Sequence, residues 1–95
     1  MDAKTTLETA AALVGGDRAK QHGNKTENHA RIACLWNGWL QARAATLLPL
    51  SAHDVAIMMV LLKAARTQTG THNPDDYTDM AGYAGVAAEI ADAFP

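Results

Sequence analysis

The sequence predicts an all-α fold, a compact bundle of four helices. Three observations carry that expectation. Apolar residues recur at helical spacing in four segments, and no segment alternates as a convincing strand would. Each segment opens at a residue able to cap a helix: Thr5, Thr26, Ser51 or Asn73. Polar or glycine- and proline-containing stretches separate the segments. A length of 95 residues fits a single domain, 1–95.

The first helix is expected over about 6–14. Thr5 with Glu8 forms a capping box, and Leu7, Ala10, Ala11 and Val14 keep one face apolar. Gly15-Gly16 stops it. Residues 17–26 are polar without apolar period, so they read as a loop, and polar loops of that length in small domains are often functional. The second helix is expected over about 27–46, with Ile32, Leu35, Trp36, Trp39, Leu40 and Ala42 as its apolar stripe. The rings of Trp36 and Trp39 are expected to dominate the core. Leu47, Leu48, Pro49 and Leu50 turn the chain.

Ser51 with Asp54 makes a second capping box, and Ser51 is therefore a cap rather than a nucleophile. The run Val55 to Leu62 is apolar on every side, which predicts the central helix. Lys63 and Arg66 appear where that run ends and share a sector within roughly 60°. Thr67 to His72 is a polar loop. The fourth helix is expected over about 74–93, with Asn73 as cap and Pro74 in the first position. Its apolar face is Met80, Tyr83, Ala87, Ile90 and Phe94.

Twenty residues are alanine and five are aromatic. Alanine-rich helices approach closely but bury little area each, so the bundle is marginal alone and a homo-oligomer is expected. No run of about 18 apolar residues exists, so no membrane span is predicted, and the N-terminus lacks the order of a secretory signal. The single cysteine, Cys34, is expected to be buried and inert, which points to the cytoplasm. The net charge of −2 argues against a generic nucleic-acid binder. Its distribution is uneven: residues 17–66 hold seven bases and three acids, while residues 67–95 hold five acids and no base. The last helix thus has an electrostatic reason to pack on the middle of the chain.

Chemistry concentrates at one end of the bundle. A short loop joins the third and fourth helices, so antiparallel packing sets Lys63 and Arg66 beside Asp75, Asp76 and Asp79. Asp76 and Asp79 lie about 60° apart at the head of the core-facing stripe. Carboxylates there need a cationic partner: a divalent ion, Lys63, Arg66, or a combination. Arg66 can clamp a phosphate with two hydrogen bonds, Lys63 can add a point charge, and the aspartates can hold magnesium. The alternative is an internal salt-bridge network, or acids favoured simply by the helix dipole. A second polar set, Lys25, Glu27, Asn28 and His29, offers a metal ligand in Glu27 and ligand contacts in the others, or else only capping and solvation. His22, His29, His53 and His72 lack zinc spacing, and no glycine-rich phosphate loop or serine elbow is present.

Three blocks together resemble a known group. They are Gly16-Asp17-Arg18 through His22-Gly23 and Glu27-Asn28-His29 to Leu35-Trp36; Asp54 to Met59 and on to Lys63-Ala64-Ala65-Arg66; and Asn73-Pro74-Asp75-Asp76-Tyr77 to Asp79-Met80-Ala81-Gly82-Tyr83-Ala84. This resembles small phage and prophage proteins of unknown function, grouped loosely with MazG-like all-α nucleotide pyrophosphohydrolases. The resemblance implies a helical, often dimeric or tetrameric, magnesium-dependent enzyme that cleaves nucleoside triphosphates, acting in the host cytoplasm if phage-encoded. That superfamily carries Glu-x-x-Glu on one helix and Glu-x-x-Asp on the next. This chain has Asp76-x-x-Asp79 and no Glu-x-x-Glu. Glu27 is followed three positions later by Ala30, so what carries over is Asp76 and Asp79, by analogy to the second pair, as catalytic, metal-holding residues, with Lys63 and Arg66 on phosphate; in an enzyme of this kind Glu27 is a further candidate ligand for the magnesium. The alternatives are a nucleotide-binding module that does not cleave its ligand, serving phage against host defence, or a purely structural or interaction protein.

Overall fold

A computed structural model describes residues 2–16, 24–43 and 49–93. Its four helices are α1 (Ala3–Gly15), α2 (Lys25–Ala42), α3 (Ala52–Arg66) and α4 (Pro74–Ala93), and the described residues contain no strand. None of these helices is long and apolar enough to cross a membrane.

Helix starts follow the strongest available cap. In α1 the cap is Asp2, not Thr5: its Oδ1 accepts from the Thr5 backbone N–H at 2.8 Å, so the helix begins earlier than expected. Likewise Asn24, not Thr26, caps α2, with Oδ1 accepting from the Glu27 N–H at 3.0 Å. Asp and Asn outrank Thr in this position. The end of α2 falls at Ala42, where the Arg43 N–H bonds back to the Trp39 carbonyl; the expected extension over 44–46 lies outside the described residues. The Ser51–Asp54 capping box forms as expected, and the Asn73 side chain accepts from the Asp75 N–H at the head of α4. In the loop between α3 and α4, Gly70 has φ 74°, a conformation that costs a side-chain-bearing residue energy.

α3 is central, as its all-round apolar run predicts. It makes both extensive helix interfaces, with α2 and with α4. Among the described residues, the buried apolar ones are Ala56, Met58, Ala65 and Ala87, three of them alanine. α1 departs from the compact bundle: it buries no residue, and Leu7, Leu13 and Val14 stay exposed. Half of its expected apolar face is alanine, which offers little area to drive docking. Cys34 is exposed, against expectation. It lies about 160° around α2 from Trp36, whose side faces α3.

Trp36 and Trp39 act differently from buried core rings. Both are half-buried, and each indole directs its N–H to α3. Trp36 Nε1 donates to the Met58 carbonyl at 2.7 Å, and Trp39 Nε1 donates to Asp54 Oδ1 at 3.1 Å. One helical turn on α2 thus matches one turn on α3 in the opposite direction. This fixes an antiparallel register.

Asp54 collects several partners beside Trp39. Its carboxylate also accepts from the Ser51 backbone N–H and hydroxyl, and Arg43 Nε lies 3.3 Å away. The Ser51 backbone hydrogen bond is the foremost cause that holds the Asp54 carboxyl below its ordinary pKa, opposed by burial and aided by the Ser51 and Trp39 side chains and Arg43. A lowered folded-state pKa means the unfolded chain binds the proton more tightly. The stabilisation is therefore complete above the unfolded value, about pH 3.9, and is lost as pH falls through the folded value. Thermal melts from pH 7 down to pH 2 should show this acid-side loss, and Asp54→Asn should diminish it. Asp54→Ala should cost about 3 kcal/mol at pH 7, because it strips a cap, leaves a part-buried indole N–H without its acceptor and removes the ion pair to Arg43.

Candidate functional site

The register set by the two tryptophans carries upward to the other end of the pair. One, two and three turns before Trp36, α2 presents Ile32, then Asn28 and His29, then Lys25; α3 answers with Leu62 and Arg66. Together with Ala33 and Trp36 these residues line a cavity of about 350 Å³. The sequence offered Lys25, Asn28, His29 and Arg66 as ligand contacts from two separate segments, and the tertiary fold brings all four to this cleft.

Its mouth is cationic and its floor apolar. No ion pair engages Lys25 or Arg66 among the described residues. His29 Nδ1 lies 2.7 Å from the Lys25 carbonyl. A carbonyl only accepts, so Nδ1 carries the hydrogen and Nε2 is left for a ligand. Asn28 is buried, and Arg31 Nη1 donates to its Oδ1 at 3.5 Å. Ile32, Ala33, Trp36 and Leu62 supply the apolar wall. Trp36 is held by its hydrogen bond to Met58, so its ring is oriented before any ligand arrives.

At the α3–α4 end, the expected meeting of opposite charges takes place with an unequal outcome. Lys63 Nζ lies 2.8 Å from Asp79 Oδ2, and the lysine is largely buried. Lys63, expected on phosphate, and Asp79, expected on metal, are thus engaged with each other. One turn nearer the loop, Arg66 and Asp76 line a second cavity of about 180 Å³ without forming an ion pair. Asp76 is only 8% exposed. Asp75 is exposed and is not among the residues that line this cavity.

Glu27 stays on the outer side of α2, 4.0 Å from Arg31. Among the described residues, no group of three or more His, Cys, Asp or Glu is placed to hold a metal ion. Glu27, Asp76 and Asp79 therefore do not form the carboxylate set the sequence suggested. Glu27 belongs to one helix face, and Asp79 has its own lysine.

The fold and cleft define a class: a small helical domain with a cation-lined, apolar-floored site between two helices. The chain belongs to the family described as Domain of unknown function (DUF6378), which it matches over residues 5–91. It is similar to the Gene 55 protein of Mycobacterium phage L5, with 42% identity over 84 residues, 88% of this chain and 51% of that protein. It is also similar to the Gene 55 protein of Mycobacterium phage D29, with 38% identity over 87 residues, 92% of this chain and 54% of that protein. The chain spans about half the length of these curated relatives. No solved structure matches. The likeness to phage proteins of unknown function thus stands, while these matches carry no link to MazG-like enzymes.

Asp79→Asn should lower stability by about 1–2 kcal/mol, since it leaves Lys63 largely buried beside a neutral partner. A double-mutant cycle with Lys63→Met, read by urea denaturation, should recover most of that loss.

Proposed function

We propose that the protein binds a nucleotide, without cleaving it, in the cleft between α2 and α3. The observation that carries this reading is the convergence of Lys25, His29 and Arg66 on a cavity otherwise walled by Ile32, Ala33, Trp36 and Leu62. A nucleotide joins a multiply charged phosphate end to a flat base with apolar faces. The cations suit the first part and the apolar wall suits the second. Arg66 can meet two phosphate oxygens at once, and Lys25 adds a compact charge. Neither cation must first break an internal ion pair. A volume of about 350 Å³ lies within the usual range for small-molecule sites.

The pyrophosphohydrolase reading, with magnesium on Glu27, Asp76 and Asp79, finds less support in this geometry. Magnesium needs near-octahedral oxygen ligands around one point. Here Asp79 serves Lys63, Glu27 faces Arg31, and only Asp76 borders a cavity with Arg66. These residues do not fit a resident magnesium, although the ion can enter on the nucleotide's own phosphates. The homo-oligomer expected from the small core belongs to the same proposal, with Leu7 and Val14 on α1 as apolar surface for it to cover.

Calorimetry with a panel of nucleoside mono-, di- and triphosphates, with and without Mg²⁺, tests the reading when joined to chromatography of the mixtures. Saturable heat without new products is expected. Arg66→Ala and Lys25→Ala should each weaken binding roughly tenfold, the scale of a hydrogen bond to a charged group, while Asp79→Asn leaves affinity unchanged. Absence of saturable heat with every nucleotide would overturn the proposal. Product formation at a steady rate would replace binding with hydrolysis.

A further inference from the structure

We propose that the cavity in the α3–α4 loop is a second base subsite, selective for guanine, and that the ligand of this protein is a dinucleotide whose linking phosphate sits at Arg66. The inference rests on the nucleotide reading above and names the ligand class.

The starting point is Asp76. It is 8% exposed, and no described hydrogen bond or ion pair ends on its carboxylate. Capping does not account for it, because the Asn73 side chain already serves the first turn of α4. Yet no side-chain oxygen is sealed off without a partner, so the carboxylate keeps access to the cavity it lines. A nearly buried carboxylate without a partner is costly, and a ligand that supplies donors relieves the cost.

Ligand chemistry follows from the groups around it. Asp76 only accepts hydrogen bonds, and Arg66, on the same cavity, only donates them. A matching group must therefore carry adjacent donors beside adjacent acceptors. Guanine does so: N1–H and the N2 amino group suit a carboxylate's two oxygens, and O6 with N7 suits a guanidinium. Adenine would turn its N1 acceptor toward Asp76 and be repelled. His72 and Tyr77 form an aromatic wall of the same cavity, with ring centroids 6.1 Å apart and planes tilted by 43°. Such rings give a base a face to stack on. The volume of about 180 Å³ suits one base and not a whole nucleotide.

Arg66 supplies the link. It lines both this cavity and the larger cleft between α2 and α3. Its five N–H donors lie on more than one edge of the guanidinium, so one edge can hold a phosphate while another faces the loop. A ligand filling both cavities thus has one base against Ile32, Trp36 and Leu62, a phosphate at Arg66, and a second base at Asp76.

Calorimetry with the diribonucleotides ApG and ApA, and with AMP alone, tests this. ApG should bind roughly tenfold or more tightly than ApA, the scale of a two-bond base contact. Asp76→Asn should erase that preference and leave the affinity for AMP unchanged. In case the variant does not fold, amide spectra of the wild-type protein give a second measure: ApG, and not AMP, should shift the resonances of Thr69 to Asn73. Equal affinity for ApG and ApA, together with an unshifted loop, would overturn the second subsite while AMP binding keeps the parent reading. Failure of all three compounds to bind would overturn both.

Discussion

Everything that positions the cleft depends on how two indole N–H groups are satisfied. A tryptophan removed from water needs an acceptor for its one donor, and an α-helix has few to spare in its interior. Trp39 finds Asp54 at the first turn of α3, and Trp36 finds the Met58 carbonyl one turn later. These two bonds define how α2 lies along α3. Asp54 can serve Trp39 because it is itself fixed by the Ser51 cap and by Arg43. A device that starts one helix therefore also docks its neighbour. A core whose buried members are mostly alanine has little side-chain interlocking with which to set the register, so directional polar contacts do it instead.

The electrostatics divide along the same axis. At the α3–α4 interface, Lys63 and Asp79 cancel and contribute to packing. At the end of α3, Arg66 forms no ion pair among the described residues and lines two cavities. The two cations of α3 are separated by only three residues, yet one is structural and the other is open to a ligand. The difference is depth: Lys63 lies among helix contacts, whereas Arg66 sits where the helix gives way to the loop.

Affiliation with a phage family of undefined role leaves the chemistry of the cleft as the strongest guide to function. That chemistry combines cations without an ion pair among the described residues, an oriented aromatic ring and aliphatic side chains within a small-molecule volume. The proposed reading is recognition rather than turnover, because Asp54, Glu27, Asp79 and Asp76 are dispersed among a capping box, two ion pairs and a loop cavity.

The sequence by itself determined the helices, the cap of α3, its central place, and the meeting of a basic helix end with an acidic helix start. Those features arise from residues within a few positions of each other, where spacing translates directly into geometry. It also singled out Lys25, Asn28, His29 and Arg66, but as members of two unconnected sets. Only the tertiary structure decided that they share one cleft, that Lys63 and Asp79 neutralise each other, that Asp76 meets no charged partner among the described residues, and that α1 and Cys34 remain exposed. Those outcomes depend on helix register and docking, which here follow from where Trp36 and Trp39 find acceptors on α3. Periodicity locates an apolar face, but it carries no information about which turn of a partner helix that face will meet.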